Sequence, residues 1–388
     1  MIMEEVLEVA ANRPVASMPW PTFGSLLSYS QRPLPHPFSS PGMTLWTSAR
    51  IALWQAIRSL DLKSGDRVAV PAFCCGSELE PFLIAGLELS FFAVGEDLAP
   101  DPTSFRKAID GSSAAMVTHY FGLPVDLEPA LEMTRRKGIP LIEDCAHALY
   151  TTRAGEQVGL AGDAAIYSFW KTVALPDGGA LHMRKGTEKG APKPPPPELI
   201  RKATRHLLSR TLRSHPSAIL RKTEGMRQQL RRGAGSIQLR EKGGDEWHLI
   251  KFPNELIGAG MSSRSLRIFR ATDHAHVRER RRHNYIRLQE ALAEIPGIVP
   301  LVPHLPDGAC PLYFPVVVEE AARLRRALAA EAVGVKHIWP YFHAAVPWER
   351  FPREHHWKEK AIGFPVHQSL REEDIERLID VVKRWSGR

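Results

Sequence analysis

With 388 residues, 44% of them hydrophobic and 24% charged, the chain has the composition of a globular protein with room for one large and one smaller domain. It contains no apolar run long enough to span a bilayer and no basic-then-apolar leader at Met1–Glu5, which argues against a membrane span or a secretion signal and leads us to expect a cytoplasmic protein. The net charge of +8 is local: residues 185–242 hold 15 Lys and Arg against four Glu, and the remainder is close to neutral.

Residues 1–45 are rich in proline, with Pro19-Trp20-Pro21 and a Pro-Leu-Pro-His-Pro run at 33–37, and read as an extended arm over a surface. Helical spacing begins at Ile51, Trp54 and Ile57 behind a Thr47 or Ser48 cap. Short apolar strands then follow at 68–70, 89–94, 114–119, 140–143, 164–169 and 179–183, with helices expected at 77–85 and 127–137. Apolar strands alternating with helices imply a mostly parallel sheet covered on both faces, whose ligands lie at the carboxyl ends of the strands.

From Lys185 the pattern changes. Four prolines at 194–197 stiffen a linker, a basic amphipathic helix is expected over 199–212, and glycines at 233, 235, 243 and 244 read as mobile. The insert has neither interleaved aromatics nor a nucleic-acid motif, which argues against RNA or DNA. A solvated cover near the active-site mouth is the preferred reading, with weak peripheral contact to an anionic membrane as the alternative. One long helix is expected over 265–293, an α/β tail from Pro315, and a final helix over 372–385. The four cysteines, Cys74, Cys75, Cys145 and Cys310, lack metal-ligand spacing and are expected to be reduced.

The chemistry concentrates between residues 141 and 181. One apolar strand ends in Glu143-Asp144-Cys145-Ala146-His147, and the next runs into Ser168-Phe169-Trp170-Lys171, ahead of Asp177-Gly178-Gly179. A carboxylate and a lysine at neighbouring strand ends suit pyridoxal phosphate, which needs an amine for its aldehyde and an anion for its pyridine nitrogen. Lys171 and Asp144 are the candidates for these roles, against the alternative of a surface lysine and a strand-end aspartate.

Further blocks accompany this one, in order: Arg50-Ile51-Ala52-Leu53, Gly65-Asp66-Arg67-Val68-Ala69-Val70-Pro71, and Pro365-Val366-His367-Gln368-Ser369-Leu370. Together they resemble the DegT/DnrJ/StrS family of pyridoxal phosphate-dependent sugar aminotransferases over roughly residues 45–184 and, more loosely, 255–385. The resemblance implies a fold-type I α/β architecture, with a mostly parallel seven-stranded sheet between helices in a large domain and a smaller C-terminal α/β domain. The domains would be an arm at 1–45, a cofactor-binding domain at 46–184, a basic insert at 185–250, and the long helix with the small domain at 251–388.

The resemblance also implies roles. Lys171 would be the Schiff-base lysine, Asp144 the partner of the pyridine nitrogen, and His147 a neighbour of the ring oxygen. Ser168 would bind the phosphate together with the amides of Ala49 and Arg50 at a helix start. Arg50 either adds its guanidinium to the phosphate or covers the helix surface. The partners would be an amino acid donor, glutamate by analogy, and a keto-sugar, nucleotide-linked, in polysaccharide or natural-product biosynthesis, with the enzyme a homodimer. Three departures stand out. Lys171 lies three positions after Ser168 where the family has five, Cys75 occupies the place of a stacking aromatic, and Met261-Ser262-Ser263-Arg264 replaces an Asn-Tyr-Arg segment. Phe73, Tyr120 and Phe121 are substitutes for the aromatic, and Arg264 would approach the neighbouring subunit's phosphate. Arg264, Lys336 and His337 are basic residues able to face a sugar diphosphate. The alternatives are another fold-type I enzyme (an elimination, or a non-sugar ketone) and a non-catalytic sensor or scaffold.

Overall fold

Backbone alternation builds the larger half of the molecule. The computed structural model describes residues 14–21, 30, 32–185, 190–213 and 252–387. Strand β1 (Met43–Trp46) leads into helix α1 (Ala49–Ser59), β2 (Arg67–Pro71), α2 (Glu80–Ile84), β3 (Glu88–Phe92), α3 (Pro102–Ala108), β4 (Ala114–Thr118), α4 (Glu128–Lys137) and β5 (Leu141–Cys145). A small hairpin, β6 (Thr152–Arg153) and β7 (Glu156–Gln157), precedes β8 (Ala164–Ser168), the single helical turn α5 (Phe169–Thr172) and β9 (Gly179–Met183).

The seven-stranded sheet has the order β1-β9-β8-β5-β4-β2-β3. The five strands from β3 to β8 are parallel, and β9 runs antiparallel to both β8 and β1. Successive residues serve opposite faces, as strand geometry requires. Val68, Val70 and Met116 join Ile51 and Leu53 of α1 on one side, while Ala69, Ala115 and Val117 join Phe92 and Phe105 on the other. Every residue of β4, β5, β8 and β9 is buried, so both faces are covered.

Helix α6 (Pro197–Arg213) carries the basic stretch as far as it is described, and residues 214–251, with the glycines read as mobile, lie outside the described residues. Two helices follow, α7 (Ser263–Ala271) and α8 (His274–Leu292). A second sheet is wholly antiparallel, in the order β10-β11-β13-β12. It comprises β10 (Val299–Pro300), β11 (Tyr313–Val317), β12 (Lys336–His337) and β13 (Ala361–Pro365), with α9 (Ala321–Ala330) and α10 (Pro352–Lys360) between them and α11 (Glu372–Ser386) after them. Phe314, Val316, Ile362 and Phe364 of this sheet pack against Leu288, Leu324 and Leu378 of the helices.

Helix α3 stands where no element was expected, and two further differences have a clear cause. Residues 43–46, assigned partly to the proline-rich arm, form the seventh strand because β9 offers an edge to pair with, at Trp46↔Gly179. The long helix expected over 265–293 is two helices, since Asp273 caps α8 by accepting from His276 N–H at 3.0 Å and thereby starts a new helix. No described helix is long and apolar enough to cross a membrane. All four cysteines are free.

Candidate active site

The parallel register sets Asp144 and Ser168 at the carboxyl ends of adjacent strands β5 and β8, where such sheets hold ligands. Helix α5 begins at once after Ser168, so the missing two residues are absorbed by one helical turn that carries Lys171 on its third position. Asp144, Ser168 and Lys171 all line one cavity of about 420 Å³, and Ser48, Ala49, Arg50 and His147 line it too. Six of the seven residues expected to bind the cofactor, all but Arg264, therefore meet in one place. The seventh, Arg264, lines a separate surface pocket with Glu198, Arg201 and Arg205, and is not among the residues of the main cavity within its own chain.

Adjacent carboxylates of β5 have opposite duties because they point to opposite faces. Glu143 is structural. Its oxygens accept from the N–H groups of Gly159, Ala161 and Gly162 and from His119 Nε2–H, at 2.6–3.0 Å. Burial opposes its charge, but His119 and these amides overcome burial and hold the carboxyl below its ordinary value. The neighbouring cluster of His119, Glu143 and Cys145 is thus accounted for without a metal.

Asp144 is only 5% exposed and accepts from Ala146 N–H at 2.8 Å. Burial pushes its carboxyl up to about 6, against the opposing pull of Lys171. Among the described residues no cation pairs with it at hydrogen-bond distance. A buried carboxylate facing a cavity in this state suits a cationic ligand atom.

His147 accepts from Phe121 N–H through Nδ1 at 3.3 Å, which leaves Nε2 carrying the proton in the neutral ring. Burial, then Lys171 and Lys336, hold it neutral well below the usual histidine range. Its ring stacks on Trp339 at 5.6 Å, and Trp339 stacks on Phe121 at 5.8 Å. Phe121 and Trp339 both have left-handed backbones, with φ of 55° and 48°, which bulky residues adopt at a cost of about 1–3 kcal/mol. Of the three expected aromatic substitutes, Phe121 lines the cavity, whereas Phe73 and Tyr120 pack behind it. Trp339 was not legible because it comes from the distant segment after β12. Cys75 does line the cavity, with its thiol donating to Glu78 Oε2 and pushed up to about 12 by burial and then by Glu78.

The start of α1 offers an anion site. Ser48 caps the helix by accepting from Ile51 N–H, and Ser48, Ala49 and Arg50 form the cavity edge. Gly179 lets β9 approach this turn: a Cβ there would stand 2.3 Å from the carbonyl carbon of Ser48 and 2.5 Å from Ala49 N. Arg50 lines the cavity, and its guanidinium lies 3.6 Å from Glu80 across the helix surface.

The lysine turn is clamped from below by Arg281, which sequence patterns did not mark, and by Gln368 of the Pro365–Leu370 block. Arg281, fully buried on α8, donates to Thr172 O at 2.9 Å, to Pro311 O at 3.0 Å and to Gln368 Oε1 at 3.0 Å. Gln368 Nε2 in turn donates to Thr172 O at 3.1 Å. The neighbours of Gln368 hold the arm: His367 Nε2 donates to Ala16 O at 2.8 Å, and Ser369 Oγ donates to Trp20 O at 3.1 Å. Met18 of the arm thereby enters the cavity wall, where Tyr313 Oη donates to its sulfur at 2.8 Å. On the other side of the turn, Asp177 accepts from Ser262 N–H and Ser262 Oγ and also from Ser265 Oγ, tying the Gly178-Gly179 bend to α7.

The model of the DegT/DnrJ/EryC1/StrS aminotransferase family matches residues 44–190 and 270–383. The chain belongs to this family. As a DegT/DnrJ/EryC1/StrS aminotransferase it is a transferase of the fold-type I α/β class. The spore coat polysaccharide biosynthesis protein SpsC of Bacillus subtilis is 23% identical over 354 residues, covering 87% of this chain and 83% of that protein. Among solved structures, DesI in the presence of its TDP-sugar product has a TM-score of 0.66 at 18% identity and covers 97% of this chain and 94% of that one. The PLP form of the putative sugar aminotransferase Spr1654 of Streptococcus pneumoniae has a TM-score of 0.65 at 18% identity, covering 99% and 95%. At these identities the two structures speak for the fold.

Proposed function

We propose that the chain is a pyridoxal phosphate-dependent aminotransferase that moves an amino group from an amino acid, glutamate foremost, to a nucleotide-linked keto-sugar. The observation that carries this is the convergence of Lys171, buried Asp144 and the amide-rich start of α1 on one cavity. The residues fit the cofactor. Asp144 lacks a cation that a pyridinium would supply, and the Ser48–Arg50 turn with Ser168 suits a phosphate. The cavity volume falls within the usual range for small-molecule sites, about 300–1,000 Å³.

When bound, pyridoxal phosphate supplies an electron sink for the carbon that bears the amine. Lys171 Nζ provides the amine that anchors it, and afterwards takes and returns the proton of the reacting carbon. Asp144 holds the proton on the ring nitrogen. His147 donates from Nε2 to an oxygen acceptor. Met18, Trp339 and Tyr341 contribute apolar surface to the wall beside this proton transfer.

The sugar substrate is supported by family membership and by similarity to a polysaccharide biosynthesis protein and to an enzyme solved with its TDP-sugar product. A cytoplasmic homodimer belongs to the same reading, with Arg264 directed toward the partner's site. The test is to incubate the protein with pyridoxal phosphate, glutamate and a panel of GDP- and TDP-linked keto-hexoses, and to follow products by mass spectrometry. The proposal expects a sugar in which an amine replaces the carbonyl. No aminated sugar and no 2-oxoglutarate would overturn it.

A further inference from the structure

The cavity receives a second lysine that the chemistry above does not use. Lys336 opens strand β12, and its register against Gly363 of β13 fixes where it emerges. It lines the cavity, whereas the next residue, His337, does not, as strand alternation requires. No ion pair joins Lys336 to a carboxylate among the described residues, in contrast to Arg50 beside Glu80. Burial and then the charge of Lys171 disfavour its ammonium, so the two amines face the same space and feel each other. Asp144 and Glu78 also line the cavity, but neither forms an ion pair with Lys336, which leaves its amine open to an anionic group of the substrate.

We propose that Lys336 binds the α-carboxylate of the amino donor, a proposal that rests on the aminotransferase reading. The choice of carboxylate over diphosphate follows from reach. In an α-amino acid the carboxylate carbon is bonded to the reacting carbon, and standard bond lengths place it about 2.5 Å from the amine nitrogen. In a nucleotide-linked keto-sugar the diphosphate hangs from the anomeric carbon, across the ring from any ring carbonyl that is not its neighbour. A cation that shares the space of Lys171 is therefore suited to the near group. Lys336 belongs to the second sheet and Lys171 to the first, so a carboxylate bound between them would also bridge the two halves of the molecule.

The test uses the full chain loaded with pyridoxal phosphate and two probes measured by calorimetry. Maleate is a dicarboxylate that cannot accept an amine, and thymidine diphosphate represents the sugar end. Loss of one charge-assisted contact in Lys336→Met should weaken maleate binding about 10- to 100-fold. Thymidine diphosphate should change by less than about twofold on the same scale, Lys336→Arg should retain maleate binding, and the melting temperature should confirm that both variants fold. Unchanged maleate affinity in Lys336→Met, or no maleate binding by the wild type, overturns the proposal. Loss of thymidine diphosphate with maleate intact overturns it too and assigns Lys336 to the diphosphate. Failure of the aminotransferase reading shows separately, as a wild-type protein that forms no visible band with pyridoxal phosphate.

Discussion

Replacing Asp144 with Asn should make the cofactor-free protein more stable at neutral pH. In the fold, burial raises this carboxyl to about 6 from an ordinary 3.8. The native state then binds more protons than the unfolded chain between those values, so its stability is greatest below 3.8 and is lost as pH rises through 6. With about 1.36 kcal/mol for each pH unit of that gap, ionised Asp144 costs the empty protein roughly 3 kcal/mol at pH 7. Asn keeps an oxygen to accept from Ala146 N–H and carries no charge. For a chain of this length, at about 2.1 cal/mol/K of unfolding entropy per residue, 3 kcal/mol corresponds to a rise of about 4 °C in melting temperature. The assay is thermal melting of stripped wild type and Asp144→Asn from pH 4 to 7.5. The gap should be small at pH 4 and grow toward pH 7, and added pyridoxal phosphate should stabilise wild type far more than the variant. A variant that melts at or below wild type at pH 7, or a gap that ignores pH, would refute the reasoning.

The clamp under the lysine turn predicts that Arg281→Met, which strips donors from Thr172, Pro311 and Gln368, costs at least about 3 kcal/mol in urea unfolding. A loss under about 1 kcal/mol would show that water replaces the guanidinium. Gly179→Ala forces a methyl against Ser48 and Ala49 and should cost about 1–3 kcal/mol while weakening retention of pyridoxal phosphate on dialysis. Normal retention would detach the start of α1 from the phosphate. Glu143→Gln should remove stability that is present above the ordinary carboxylate range and lost as pH falls, because His119 and three amides favour the ionised form. Melts of wild type and variant should converge toward acid pH, and parallel curves would contradict this.

Local pattern revealed the first half of the molecule and much of the site. Strand ends announce themselves through apolar runs that stop at polar residues, and Asp144, Ser168 and Lys171 follow such runs in the chain. The seventh strand was hidden because Met43–Trp46 is held by pairing with β9 and lies beside a proline-rich stretch that reads as arm. The break between α7 and α8 turns on a single capping carboxylate inside a helical pattern. Trp339 and Met18 reach the cavity only through tertiary folding, from the segment after β12 and from the arm, and no spacing in the chain could place them there, whereas Lys336 is among the basic residues read from the sequence as able to face a sugar diphosphate. Arg281 sits in an arginine-rich helix in which Arg280 and Arg287 pair with acids and Arg282 reaches backbone carbonyls, so nothing local marks it as the buried one. The Pro365–Leu370 motif was visible as a block, but its work (a clamp on Thr172 and on the arm) became clear only from its partners.

The central claim is that Lys171, facing Asp144, anchors the cofactor, and the cavity contains a second lysine, Lys336, that provides an internal control. The direct measurement is borohydride reduction of the protein with pyridoxal phosphate, followed by proteolysis and mass mapping of the pyridoxyl group. Modification of the Lys171 peptide alone is expected, abolished in Lys171→Ala and preserved in Lys336→Met. Modification at Lys336 in the wild type, or no covalent attachment at all, would contradict it.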